Sequence, residues 1–129
     1  MTNVPTFMMN IPSSYDTAVR NNVWMEEYDD EDIIVNKPKA IREMWEVYSF
    51  LASQGFVYLL PTPIDCKLQD LVFVANNGIV LQHTPIYIGS NFKATNRIGE
   101  EVIGMRFFDS LGYKTIRSPF EFEGEAELK

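Results

Sequence analysis

Two acidic residues stand out among the side chains that could do chemistry, Asp70 and Glu123. Asp70 precedes an apolar segment, and Glu123 lies in the acidic stretch Phe-Glu-Gly-Glu-Ala-Glu at residues 122–127. Carboxylates bind the planar, permanently charged guanidinium group through paired hydrogen bonds, and a buried carboxylate can also orient a histidine. Spacing alone favours ordinary surface acids, and it leaves both interpretations open.

The chain contains one cysteine, Cys66, and one histidine, His83. A lone cysteine is a candidate nucleophile only beside a histidine and an acid, and both residues also fit ordinary polar loops. No histidine or cysteine pair has the spacing of metal ligands, and no glycine-rich phosphate loop follows a predicted strand. The sequence therefore predicts neither a metal site nor a cofactor.

Composition excludes several classes of function. The 129 residues carry a formal net charge of −7, which disfavours nucleic acid and anionic membranes as partners. The hydrophobic content of 46% is typical of one globular domain. A single cysteine permits no internal disulfide, and no apolar run is long enough to span a membrane. We therefore expect a cytoplasmic protein, residues 1–129 forming a single domain.

The first half of the chain predicts a strand, a helix and a second strand. Residues 6–11 are apolar and end at Pro12, which indicates a strand. Asn36 before Lys-Pro predicts a helix start, and Gly55 is expected to cap its C-terminus. Residues 56–60 are a continuous apolar run, typical of a buried strand. One helical face is apolar, through Ile41, Met44, Trp45, Tyr48 and Leu51.

The second half predicts a hairpin, a helix and a strand. Residues 70–81 are interpreted as a strand, a tight turn at Asn76-Asn77-Gly78 and a returning strand, which residues 86–88 prolong. A helix is predicted from Thr95 to about Leu111, followed by a strand over residues 113–117. The apolar stripe of this helix is Ile98, Val102, Met105 and Phe108.

The two halves repeat one another at a constant offset of 57 residues. Each copy contains a helix end, a glycine and a strand start. We therefore predict two supersecondary units, at about residues 1–64 and 65–120, with a third beginning at 121–129. Repeated units of this size are typical of propellers and arrays. The aligned residues are Phe50, Ser53, Gly55 and Phe56 in one copy, and Phe107, Ser110, Gly112 and Tyr113 in the other.

Several motifs, in order along the chain, resemble those of the guanidine-modifying, or pentein, superfamily. Asp-Leu-Val-Phe-Val-Ala-Asn at residues 70–76 is similar to its Asp-x-Val-Phe-x-Ala-Asn/Asp signature. Phe92 and Arg-Ile-Gly-Glu-Glu at 97–101 resemble its Phe-Arg…Arg-x-Gly-Glu-Glu segment. Residues 122–127 resemble its Phe-Glu-Gly-x-Gly-Asp motif, and Asn-Val-Trp-Met at 22–25 an Asn-Pro-Trp-Met segment. Members include dimethylarginine dimethylaminohydrolases, arginine deiminases and amidinotransferases.

The resemblance implies a fold and a mechanism. The fold would be an α/β propeller of five ββαβ-type units, of which this chain holds about two. In the family a cysteine attacks the guanidinium carbon and a histidine transfers protons. Carried over, Glu123 is the acid beside the catalytic histidine, and Asp70, Phe73 and Asn76 bind an arginine-like substrate. Arg97 matches an arginine that pairs with a substrate carboxylate.

The chain also departs from the family pattern. Asn76 is neutral where many members have aspartate, Lys93 replaces an arginine, and Ala-Glu replaces Gly-Asp at 126–127. The family histidine and cysteine follow the Phe-Glu-Gly motif, beyond Lys129, and neither His83 nor Cys66 matches them. We therefore expect the N-terminal portion of an amidino-hydrolase or amidinotransferase, inactive alone, that self-associates through its open flanks. The alternatives are a non-catalytic binding module of the same fold, and an enzyme that uses Cys66.

Overall fold

The computed structural model describes residues 3–21, 23–81 and 83–127. These residues form two compact units, unit 1 within Met1–Val72 and unit 2 within Phe73–Lys129. Over these ranges the fold is mixed α/β, with two α-helices and two sheets, so the predicted α/β class is confirmed. Neither α-helix is long and apolar enough to cross a membrane.

Unit 1 is a strand, a helix and a strand, as the sequence predicts. The two strands pair in parallel, with Thr6 opposite Phe56 and Asn10 opposite Leu60. The Asn36 side chain caps the helix by accepting a hydrogen bond from the Lys39 backbone N–H at 3.0 Å. The elements are β1 (Thr6–Asn10), α1 (Lys37–Gln54) and β2 (Phe56–Leu60).

Gly55 caps the C-terminus of α1, as the sequence predicts, but without the left-handed backbone that capping glycines often adopt. Its backbone is extended, with φ −176° and ψ −161°, and its N–H donates to the Leu51 carbonyl at 3.0 Å. A Cβ at this position would lie 2.1 Å from the carbonyl oxygen of Pro5. Glycine is therefore required because the chain passes against the segment that leads into β1.

The prediction that β2 is a buried strand is wrong for most of its length. Leu60 is 1% exposed, but Tyr58 is 43% and Phe56 67% exposed. Successive side chains of a strand point to opposite faces, and β2 pairs with β1 alone in the described part of unit 1. A continuous apolar run is typical of a strand covered on both faces, and unit 1 itself does not cover both.

Unit 2 has the order strand, strand, helix, strand. The first two strands are antiparallel, and the last lies parallel to the second, with Ile86 opposite Lys114 and Gly89 opposite Arg117. A helix connects the two parallel strands, as such crossovers usually require. The elements are β3 (Gly78–Val80), β4 (Ile86–Gly89), α2 (Glu100–Ser110) and β5 (Lys114–Arg117).

The predicted hairpin over residues 70–81 is wrong in its first strand and its turn. Val74–Asn76 form a short 3-10 helix, and the observed hairpin is β3 with β4. Asn77 has φ −74° and ψ −29°, so it does not adopt the positive φ of a tight hairpin turn. Its buried side chain instead donates to the Glu100 carbonyl and accepts from the Tyr87 hydroxyl, each at 2.9 Å. Tertiary hydrogen bonds therefore override the local turn preference.

The predicted second helix begins too early, and its apolar stripe is only partly right. Thr95–Arg97 form a 3-10 turn, and α2 begins at Glu100 after Gly99, whose φ is 109°. Ile98 and Val102 are exposed, although the stripe includes them. Paired acids take the place of apolar side chains on the buried face, which consists of Glu100, Glu101, Gly104 and Phe108.

The 57-residue repeat has a local structural counterpart in each unit. The Ser53 hydroxyl donates to the Phe50 carbonyl at 2.6 Å, and the Ser110 hydroxyl donates to the Phe107 carbonyl at the same distance. In both units the strand after the helix lies parallel to the strand before it. Gly112 ends α2 with φ 85°, as a C-terminal cap does.

Candidate functional site

The predicted site residues fall in both units. Asp70 lies in unit 1, whereas Phe73, Asn76, Arg97 and Glu123 lie in unit 2. Asp70 is buried, and its Oδ2 accepts a hydrogen bond from the Asn21 side chain. This bond ties the carboxylate to a segment almost fifty residues earlier in the chain.

A loop of unit 1 holds the segment that carries Asp70. The Gln69 side chain donates to the Val19 carbonyl at 2.8 Å and accepts from the Val19 N–H at 3.0 Å. The Ser14 hydroxyl donates to the Leu68 carbonyl at 3.0 Å. Asn22, the first residue of the Asn-Val-Trp-Met segment, lies outside the described residues, whereas Trp24 is largely exposed.

Arg97 is the centre of a buried ionic cluster in unit 2. Its Nε and Nη2 donate to the two carboxylate oxygens of Glu100 at 3.1 and 2.8 Å, which is the paired geometry that guanidinium and carboxylate favour. Its guanidinium carbon lies 4.5 Å from the centre of the Phe92 ring, a cation–π distance. Nη1 lies 3.7 Å from Oε2 of Glu123, which is an ion pair too long for a good hydrogen bond.

The segment that carries Glu123 is held against unit 2 by its backbone. Phe122 and Asn91 exchange backbone hydrogen bonds of 2.9 and 3.1 Å. The Asn76 amide donates to the Glu123 carbonyl at 3.3 Å. Gly124 has φ 64°, and a Cβ there would lie 2.2 Å from the Ala75 carbonyl oxygen, so only glycine permits this approach. The Glu123 side chain is held at its base and remains 31% exposed.

The other two predicted residues lie on and beside the 3-10 turn before β3. Asn76 keeps its backbone carbonyl bonded to the hydroxyl of fully buried Ser90, at 2.6 Å. Phe73 exposes about half of its side chain. The structure therefore brings Asn76, Arg97 and Glu123 together, with an exposed aromatic ring on the segment that leads into this cluster.

Sequence reasoning gave no role to Phe92 or Glu100, although both stand in the quoted motifs. The signal for Glu100 is its position three residues after Arg97, since side chains three or four apart meet on helical turns. No comparable signal identifies Phe92, because a ring beneath a guanidinium is a tertiary contact.

The remaining candidates for chemistry lie in loops. His83 is exposed in the loop between β3 and β4, and Cys66 is half-buried in a loop of unit 1 after Asp65, whose φ is 58°. Among residues 3–21, 23–81 and 83–127 no three histidine, cysteine or acidic side chains form a cluster that could hold a metal ion.

We expect the stability of the folded chain to depend on pH through the phenol of Tyr87. Burial, together with the charge of Glu101, raises the pKa of Tyr87 above its ordinary value of 10.0. Above pH 10 the unfolded chain loses the phenol proton while the folded chain keeps it. The free energy of unfolding should therefore fall as pH rises, by at most about 1.4 kcal/mol per pH unit. Urea unfolding at pH 9 and pH 11 measures this, and Tyr87→Phe should reduce the slope; an unchanged slope would contradict the assignment.

Comparisons with known proteins give structural matches only. No protein-family model matches the chain, and no curated protein matches it. A cysteine-to-alanine variant of AgrE in complex with L-arginine matches with 30% identity and a TM-score of 0.80, over 93% of this chain. AgrE with ornithine and NAD+ gives the same values. The N-terminal domain of ArgZ, an arginine dihydrolase from the ornithine–ammonia cycle in Cyanobacteria, matches in its product complex with 26% identity and a TM-score of 0.79, over 92% of this chain.

These matches confirm the resemblance to guanidine-modifying enzymes that the motifs predict. The chain spans 17% of the length of AgrE and 41% of the ArgZ N-terminal domain. Its fold is therefore similar to part of AgrE, which was solved in complex with L-arginine, and to part of the N-terminal domain of ArgZ, an arginine dihydrolase.

Proposed function

We propose that this chain is the N-terminal portion of an arginine- or guanidine-modifying enzyme of the cysteine-dependent type. The structural match to AgrE bound to L-arginine carries the proposal, because it covers nearly the whole chain. The five-unit α/β propeller remains part of this proposal, with unit 1 and unit 2 as two of its repeats.

Glu123 is the proposed catalytic acid, placed to orient a histidine that follows it in the family pattern. Its carboxylate is partly exposed, and its backbone is fixed by Asn76 and Gly124. A carboxylate on a rigid base loses little conformational entropy when it binds a ligand. These features suit a group that must hold one geometry.

Asp70, Phe73 and Asn76 are the proposed ligands of the guanidinium. A buried carboxylate favours a guanidinium, and a half-exposed ring such as Phe73 offers a face for it. Arg97 is the proposed partner of a substrate carboxylate. Its Nη1 is the nitrogen for that role, because Nε and Nη2 already bind Glu100.

Arginine binding by the full chain tests this assignment. Titration with arginine, followed by amide shifts in NMR spectra, should show binding that Asp70→Asn and Glu123→Gln each weaken by about tenfold or more, since hydrogen bonds to charged groups contribute roughly 1.5–3 kcal/mol. Glu125→Gln is the matched control, because Glu125 is an exposed acid on the same segment. Equal losses in all three variants would remove Asp70 and Glu123 from the site.

Turnover by the chain alone is expected to be absent. Neither Cys66 nor His83 matches the family nucleophile and proton carrier, so no citrulline, ornithine or ammonia should form from arginine. A coupled assay on the purified chain measures this. Turnover that Cys66→Ala abolishes would instead support an enzyme that uses Cys66. If the chain binds arginine, and no turnover occurs even when a second polypeptide supplies the family cysteine and histidine, the non-catalytic binding module is favoured.

Self-association is also proposed. Phe56 and Phe50 in unit 1 are 67% and 65% exposed, and exposed large apolar side chains are typical of interfaces. Light scattering on the purified chain should show a mass above that of one chain, and Phe56→Ser should lower it. Ile64→Ser is the control, since Ile64 is an exposed apolar residue in a loop. A monomer at tens of micromolar would contradict the proposal.

A further inference from the structure

In the part of unit 2 that the structure describes, the ionic cluster around Arg97 consists of this cation and two acids, Glu100 and Glu123. Arg97 forms its paired bonds with Glu100, whose side chain is fully buried. Among the described residues, Glu123 forms the longer ion pair with Arg97, at 3.7 Å, and its side chain reaches solvent. Arg97 and Glu100 thus cancel each other in charge, and the cluster presents the negative charge of Glu123 to any ligand.

The Arg97 guanidinium lies close to Glu123 but does not form a good hydrogen bond to its carboxylate. A distance of 3.7 Å leaves the acceptor positions of Glu123 open to another donor. Without Glu100, the positive charge of Arg97 would act on Glu123 at close range and in a partly buried setting. Charges about 4 Å apart interact strongly at the effective dielectric of protein surfaces.

We propose that Glu100 sets the charge preference of the site at Glu123 by neutralising Arg97. The site then favours a cationic guanidinium over a neutral urea of the same shape. This inference rests on the proposed function. Glu100 acts through Arg97 and is a positioning residue. A deiminated side chain is a neutral urea, so the same arrangement releases that product more easily than the substrate.

Arginine and citrulline provide a matched pair of probes, because arginine carries a charged guanidinium where citrulline carries a neutral urea. The ratio of their dissociation constants, measured by NMR titration of the full chain, reports the charge preference. Both ligands carry the same carboxylate, so a role of Arg97 in binding that group cancels in the ratio. Glu100→Gln should reduce the preference for arginine about tenfold. A loss of affinity that is equal for both ligands would indicate a structural role and overturn the proposal.

The double variant Arg97→Gln/Glu100→Gln keeps the proposal testable if Glu100→Gln does not fold. It removes both charges of the pair, so the preference for arginine should stay within about threefold of the parent chain, since the paired charges cancel. If Glu100 instead attracts the ligand with its own charge, the double variant loses the preference, and the proposal fails.

A ligand-free measurement separates this proposal from the proposed function. Relaxation of the amide protons of residues 122–125 by cationic and anionic nitroxide co-solutes reports the local potential. The parent chain should favour the cationic probe, and the Arg97→Gln/Glu100→Gln variant should keep that excess. Glu100→Gln should lose it. If the parent chain binds neither arginine nor citrulline, the proposed function fails, and the co-solute measurement alone decides the role of Glu100. Equal local potentials in Glu100→Gln and in the parent chain would overturn that role.

Discussion

Replacing Arg97 with methionine is expected to lower the free energy of unfolding by about 3–5 kcal/mol. The change removes the guanidinium that bonds to both oxygens of Glu100, while the Glu100 side chain stays fully buried. Taking away one partner of a buried ion pair leaves the other charge in a medium that solvates it poorly. The stacking of Arg97 on Phe92 is lost as well.

Urea unfolding measures the loss, together with hydrogen exchange of the α2 amides, which reports on unit 2 directly. The matched control is Arg97→Met/Glu100→Leu, in which both charges are replaced by apolar groups. Buried ion pairs replaced as a whole often cost little, so the double variant should lie within about 1 kcal/mol of the parent chain. If Arg97→Met is as stable as the double variant, an unpaired Glu100 costs no stability, and the prediction is wrong.

Replacing Gly104 with alanine is expected to destabilise unit 2 by about 2–3 kcal/mol. Inside an exposed helix this change would be favourable by roughly 1 kcal/mol. In α2 the new Cβ would lie 2.0 Å from Oδ1 of Asn77 and 2.4 Å from the hydroxyl oxygen of Tyr87. Both side chains are buried and bonded to each other, so their displacement breaks hydrogen bonds that water cannot replace.

A background that lacks the two contacting oxygens tests whether the clash with them causes the loss of stability. In Asn77→Ala/Tyr87→Phe the contacting oxygens are gone, and adding Gly104→Ala should then cost little or stabilise α2. Thermal unfolding followed by circular dichroism compares the pairs of variants. A stabilising Gly104→Ala in the parent chain would show that the buried network does not constrain this face of α2.

Glycines show how far local reasoning reaches. Gly112 ends a helix with positive φ, as its position after α2 predicts. Gly55, at the matching place in the repeat, is extended and instead makes room for the Pro5 carbonyl. The requirement at Gly55 comes from a segment fifty residues earlier in the chain, and no local pattern contains it.

The sequence by itself determined the class of fold and several of the local elements. Periodicity and capping predict α1, β1, β2 and β5 correctly, because a helix cap or an apolar run acts within a few residues of itself. The order of motifs also indicated the resemblance that the structural matches confirm.

Only the tertiary structure decided how the candidate cluster is built. In the tertiary structure Asn77 is a buried hydrogen-bonding group and not a hairpin turn residue, and Arg97 pairs with Glu100 beside Glu123. The physical reason is that burial makes unpaired polar groups costly, so such residues find partners across the fold even against their local preference. Which acid forms the paired bonds with Arg97, and which lies at 3.7 Å with a partly exposed side chain, depends on distances that the order of residues does not contain.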